Sequence, residues 1–159
     1  MDKKKGQVTK GMVRPKIQRY CAYQERCHSE VRQRLLDYGV RGDDLEELIY
    51  ELIQDNFLNE ERFARTYAGG KFRIKQWGRQ KIRQALEQKQ VSPYCVDKAM
   101  AEIEEADYQH TLEIVLDKKW QQLKDPDQFV KRGKLAKYVI SRGYEPELVW
   151  KTIRKLYMD

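Results

Sequence analysis

Apolar residues recur along this chain at a helical period. Leu45, Leu48, Ile49, Leu52 and Ile53 fall at i, i+3, i+4, i+7 and i+8, the spacing of one buried helical face. Val96, Ala99, Met100 and Ile103 repeat that spacing, and Val149, Thr152, Ile153 and Leu156 repeat it again. Ahead of each set stands an apolar pair four residues apart: Val31 and Leu35, Ile82 and Leu86, Leu135 and Val139. Five positions beyond each pair come Val40, Val91 and Tyr144, and two further on Gly42, Pro93 and Pro146. From Val31 to Ile82 the offset is 51 residues, and from Ile82 to Leu135 it is 53. Self-similarity at a fixed period is the mark of a repeat protein, so the pattern predicts three tandem units.

Turn chemistry agrees with the periodicity. Pro93 and Pro146 stand where a first helical residue belongs, with Ser92 as an N-cap. Gly39 and Gly143 suit a left-handed stop after the middle helix. None of the four prolines falls inside a predicted helix. A further helix precedes each pair, over residues 16–26, 59–74 and 108–124. Asn59 caps the second of these, with Glu60 and Glu61 in its first turn, where the helix dipole favours anions. The second and third leading helices read as longer than the first. No period-two alternation bounded by turns is evident, so no sheet is predicted. The expected fold is all-α, with three-helix repeats over residues 14–57, 58–106 and 107–159. Units that touch only their neighbours build an elongated, curved array. Residues 1–13 read as a flexible basic tail.

Composition narrows the setting. No run of apolar residues exceeds four, which excludes a predicted membrane span. Met1-Asp2-Lys3-Lys4-Lys5 has no apolar stretch behind it, so no secretory signal is read there. Three cysteines cannot all pair within one chain, and Cys21, Cys27 and Cys95 lack metal-finger spacing. Free thiols, a cytoplasmic location, a monomeric state and no cofactor are expected.

Charge changes the picture further. The net charge is +7, which suits a polyanionic partner. It is sorted into blocks. Residues 62–89 hold nine basic side chains and one acidic one, Glu87, for a net +8. Residues 43–61 hold eight acidic side chains and no basic one. Lys71, Arg73, Lys75, Trp77, Arg79, Lys81 and Arg83 therefore form the main candidate site. Cations there neutralise phosphates, and the interleaved aromatic stacks on a base or clamps the basic side chains. Arg79 and Arg83 share the expected exposed face of a helix whose buried face is Ile82, Ala85 and Leu86. Lys131, Arg132, Lys134 and Lys137 repeat the theme more weakly in the third unit, with Arg142 beyond them. The bland alternative is a solvated face neutralised by the acidic stretch 43–61. Cys21, Cys27, His28 and His110 do not have the spacing of a zinc site. No glycine-rich phosphate loop or nucleophile elbow is present, so no catalytic residue is assigned and the chain reads as a non-enzyme.

The stretch Phe57-Leu58-Asn59-Glu60-Glu61-Arg62-Phe63-Ala64-Arg65, followed by Lys71-Phe72-Arg73-Ile74-Lys75-Gln76-Trp77-Gly78-Arg79-Gln80-Lys81-Ile82-Arg83, resembles the RecX family of bacterial RecA regulators. Ser29-Glu30-Val31 and the run from Leu35 to Tyr38-Gly39 fit the same pattern, as do three tandem three-helix units. The resemblance covers about residues 16–159 and is strongest in the second unit. It implies an elongated regulator lying in the groove of the RecA–DNA filament and contacting several protomers; the net +8 block adds the expectation of single- and double-stranded DNA bound without sequence preference. It implies inhibition of ATP hydrolysis, strand exchange or filament growth, and so a place in homologous recombination, DNA repair and the SOS response. Three positions depart from the family pattern: Cys27 stands where many members have a serine N-cap, Arg79 where a proline is common, and Gln90 where a glycine usually ends the middle helix. The first two weaken helix starts by ~1 kcal/mol each. Two other classes fit three-helix units: a helix-turn-helix transcription factor and a helical scaffold that binds only protein. The acidic last helix of the first unit argues against the former.

Overall fold

The computed structural model describes residues 8–158, and the repeat positions are its core. In the first unit α1 spans Lys10–Tyr23, α2 His28–Asp37 and α3 Gly42–Gln54. In the second, α4 spans Glu60–Arg73, α5 Arg79–Gln88 and α6 Pro93–Ala101. In the third, α7 spans Glu105–Gln122, α8 Gln128–Ser141 and α9 Pro146–Tyr157. No strand occurs among the described residues. Close helix packing is confined to helices of the same unit. No hydrogen bond or ion pair among the described residues joins the first unit to the third, so the units form a row.

The aligned positions are buried in all three copies: Val31, Ile82 and Leu135; Leu35, Leu86 and Val139; Val40, Val91 and Tyr144; Leu45, Val96 and Val149; Ile49, Met100 and Ile153. Burying one such side chain is worth roughly 1.5–3 kcal/mol, so this shared pattern is what selects the fold. The stripes run out at their ends. Leu52 and Ile103 are buried, but their counterpart Leu156 is 43% exposed, and Ile53 is 40% exposed. Both lie in the last turn of their helix, where no further element covers that side.

Helix starts follow the capping expectations. The side chains of Asn59 and Ser92 accept from Arg62 N–H and Cys95 N–H. The first helix departs from its expected bounds. It begins at Lys10, capped by Thr9, whose side chain accepts from Met12 N–H. It buries Val13, so residues 10–13 are helix rather than tail. Residues 1–7 lie outside the described residues. Pro15 sits inside α1 and leaves Gly11 C=O without its i+4 donor, against the expectation that no proline would lie in a helix interior. The helix tolerates it because Val13, Ile17 and Cys21 still dock on the first core. With 14 residues each, α1 and α4 are equally long; only α7, with 18, is longer.

Two cores result. The first is made by α1–α3 with Leu58. The second runs without a break through the second and third units. Cys27 caps α2 of the first unit but belongs to the second core and is fully buried. Its N–H donates to Glu30 Oε1 at 3.0 Å. The Cys27 thiol fills this position with its sulfur 3.1 Å from Ser29 Oγ, and Glu30 satisfies the backbone N–H.

Candidate nucleic-acid interface

The candidate cations of the second unit lie on one continuous stretch of chain: the last turn of α4, the loop 74–78, and α5. Lys71 and Arg73 end α4, where the negative end of the helix dipole favours them. The chain then reverses. Gln76 takes a left-handed φ of 57°, and Trp77 N–H donates to Lys71 C=O at 3.1 Å. Trp77 packs half-buried against the second core. Lys71 Nζ lies 4.9 Å from its ring and Lys81 Nζ 4.6 Å. Of the two roles open to the aromatic, the structure has the clamp: Trp77 holds two lysines in place.

Helix α5 starts with cations against its own dipole, having Arg79 and Lys81 in the first turn and no acid there. The explanation for Arg79 lies in the third unit. Arg79 Nε donates to Glu145 Oε2 at 2.8 Å, its Nη1 donates to Glu105 Oε1 at 2.5 Å, and its guanidinium lies 3.8 Å from the Tyr108 ring centroid. Arg79 N–H donates to Tyr108 Oη at 3.0 Å, and Tyr108 Oη donates to Glu145 Oε1 at 2.5 Å. Burial, reinforced by the bond to Glu145, raises the Tyr108 pKa well above the usual tyrosine range, so it stays a donor. A proline at position 79 would lack the N–H that Tyr108 needs. Arg79 thus joins two units and does not share an open face with Arg83, which pairs with Asp97 at 3.1 Å.

The same seam brings backbone to backbone. Gly78 N–H donates to Arg142 C=O and Gln80 N–H to Gly143 C=O, both at 2.9 Å. Arg142 donates to Lys75 C=O, and Tyr144 Oη to Gln76 C=O at 2.9 Å. A Cβ on Gly78 would collide with the main chain of Gly143 and Tyr144.

In the third unit Lys131 Nζ lies 3.8 Å from the Trp120 ring centroid, and Lys134 pairs with Asp125 at 2.9 Å. Arg132 is half-buried and Lys137 exposed. Of the basic candidates, Arg79, Arg83 and Lys134 have carboxylate partners; Lys71, Arg73, Lys75, Lys81, Lys131, Arg132 and Lys137 have none among the described residues.

The acidic stretch 43–61 does not neutralise them. Glu46 pairs with Arg32, Glu47 with Lys10 and Glu51 with Arg14, all within the first unit. Glu60 accepts from Ser92 N–H, and Glu61 faces Arg65 at 3.6 Å. The bonds from Arg32 and Arg14 hold Glu46 and Glu51 below the usual carboxylate range. Glu46, Glu47, Glu51 and Glu61 thus find their partners on α1, α2 and α4, and the blocks at 71–83 and 131–137 keep their excess of positive charge.

No group of three or more His, Cys, Asp or Glu side chains among the described residues could hold a metal ion. Burial pushes the Cys21 thiol up to about 11 and raises Cys27 too, so neither is a reactive thiolate at neutral pH. No described helix is long and apolar enough to cross a membrane.

Comparison with known proteins places this geometry. Residues 59–100 match the family model described as RecX, second three-helix domain, and residues 105–153 match RecX, third three-helix domain. The chain is 30% identical over 129 residues to the regulatory protein RecX of Clostridium perfringens (strain SM101 / Type A), covering 80% of this chain and 60% of that protein. It is 30% identical over 115 residues to the regulatory protein RecX of Vibrio parahaemolyticus, covering 72% of each. The crystal structure of RecX from Lactobacillus salivarius superposes with a TM-score of 0.85 at 17% identity, covering 94% of this chain and 97% of that one. The structural likeness carries the fold, and the sequence matches carry the kinship: this chain belongs to the RecX family.

Proposed function

We propose that this chain is a non-enzymatic regulator that binds the RecA–DNA filament and inhibits RecA ATP hydrolysis, strand exchange and filament growth. The chain spans 60% of the length of the Clostridium perfringens relatives, so the activity of the whole protein is part of the proposal. In this reading the protein acts as a cytoplasmic monomer, and its row of units lies along the filament. The cations of the second and third units hold phosphates of single- or double-stranded DNA without reading sequence. One observation carries the reading. Glu46, Glu47 and Glu51 of α3 pair inside the first unit, and seven cations of the two basic blocks have no carboxylate partner among the described residues. Counterions released from DNA on such a surface make binding fall steeply with salt.

The test is RecA ATPase on single-stranded DNA, with and without the protein. Inhibition is expected, and affinity for DNA of unrelated sequences should be equal and drop at least ~10-fold between about 50 and 200 mM salt. Lys75→Glu with Lys137→Glu should weaken inhibition by ~10-fold or more while circular dichroism stays unchanged, because both side chains are exposed and unpaired. Preference for one duplex sequence would favour a transcription factor. Inhibition that ignores salt and both reversals would favour contact with protein alone.

A further inference from the structure

A cleft of about 190 Å³ opens beside the seam between the second and third units, lined by Gln76, Lys118, Lys119, Gln122, Tyr138 and Arg142. That is many times the ~10–15 Å³ that admits one water. Lys118 and Lys119 come from α7, Tyr138 from α8, Arg142 from the turn after it, and Gln76 from the loop after α4. Every polar lining side chain carries an N–H or O–H donor, three carry a positive charge, and no carboxylate lines the cleft. Arg142 Nε is buried and has no hydrogen-bond partner, although another nitrogen of the same guanidinium donates to Lys75 C=O. A buried N–H left unpaired costs on the order of 1–3 kcal/mol, and converging cations repel. An oxyanion in the cleft would relieve that repulsion and give the guanidinium of Arg142 a counter-charge.

Position identifies the oxyanion. Gln76 follows Lys75 of one basic block, and Arg142 follows the helix that carries the other, Lys131 to Lys137. A polyanion that engages both blocks passes over the cleft. Tyr138 is 38% exposed at its edge, with Lys119 Nζ 4.4 Å from the ring centroid. An exposed aromatic beside a cationic pocket suits an unpaired base next to its own phosphate. We propose that this cleft takes a backbone phosphate of single-stranded nucleic acid, with the adjoining base on Tyr138. The inference rests on the nucleic-acid reading above and locates one contact within it.

The experiment measures anisotropy of a labelled thymidine oligonucleotide across salt. Lys118→Ala with Lys119→Ala is compared with a pair that changes the charge equally elsewhere, Lys98→Ala on α6 with Lys155→Ala on α9. Alanine is the best helix former, so both variants keep their helices. The cleft pair should lower affinity about tenfold at low salt and flatten the log–log salt slope by about 0.7 per phosphate lost. The control pair should leave the slope in place. Tyr138→Leu should lower affinity about tenfold without changing the slope, because stacking releases no counterions. Wild-type binding with no change in the cleft pair, or an equal loss in both pairs, would overturn the cleft and leave the broader reading standing. If wild-type protein binds no oligonucleotide even at low salt, both fall.

Discussion

The two junctions between units use the same parts and reach different strengths. In each, the turn after a middle helix docks on the start of the middle helix one unit earlier. Lys89 and Arg142 are equivalent in the repeat, and each offers its carbonyl there. Ser29 Oγ donates to Lys89 C=O at 2.8 Å, whereas Gly78 N–H donates to Arg142 C=O at 2.9 Å. The difference traces to the equivalent caps Cys27 and Gly78. Cys27 has a side chain that fills the space between the units, so a hydroxyl must reach across. Gly78 has none, so main chains meet directly. Around these bonds the first junction is held by Arg62 with Glu25 at 2.6 Å and, more loosely, by Lys89 with Glu30 at 3.9 Å. The second has the Arg79–Tyr108–Glu145 cluster and a continuous core. A repeat can thus vary the stiffness between units by one residue at a cap.

Gly78→Ala tests that comparison most severely. The added methyl meets backbone, which cannot move aside as a flexible side chain would. A loss of ~3 kcal/mol or more is expected in urea denaturation. Gly70→Ala in α4, where a Cβ meets nothing within 4 Å, should instead gain ~0.5–1 kcal/mol. Equal effects at both sites would mean the second junction does not depend on close backbone approach.

Arg79→Ala against Arg62→Ala compares the ionic contacts. Arg79 has a 22% exposed side chain between two carboxylates and over a ring, so its removal should cost ~2 kcal/mol. Arg62, with a 34% exposed side chain, should cost ~1 kcal/mol. An Arg79 loss no larger than that of Arg62 would place the strength of the second junction in its core alone.

The smallest effect is expected at the turns themselves. Gly39, Gln90 and Gly143 end the three middle helices with φ of 94°, 64° and 105°. Only Gln90 pays the steric cost of a side chain in that conformation. Gln90→Gly should therefore stabilise the protein by ~0.5–1 kcal/mol, read as a shift of the urea midpoint. A destabilisation would show that the Gln90 side chain contributes to the first junction.

The helices were legible in the sequence because the cores depend on periodicity, and periodicity is local. Val31, Ile82 and Leu135 announce one another across the repeat, and all are buried. The position of Arg79 was not legible. Its partners Glu105 and Glu145 lie 26 and 66 residues away, and nothing in local spacing couples them. A basic first turn on α5 was the one available signal that a counter-charge comes from elsewhere. The cleft stayed hidden for a related reason. Lys118 and Lys119 follow Asp117 and look neutralised along the chain, whereas Asp117 does not line the cleft that they share. Pro15 misled because a proline normally ends a helix, while docking of Val13, Ile17 and Cys21 outweighs one missing bond here.

Cys27 gives the first junction a chemical clock. Its thiol belongs to the core of one unit and its backbone to a helix of the other, so separating the two units is enough to bare it. Cys21 and Cys95 lie inside single units and are bared only when a unit itself comes apart. Under an alkylating reagent the three thiols should therefore react at different rates, with Cys27 first. The ratio of its rate to that of an unhindered thiol is the population of the parted state, and thus a direct reading of how often this molecule bends at its first joint.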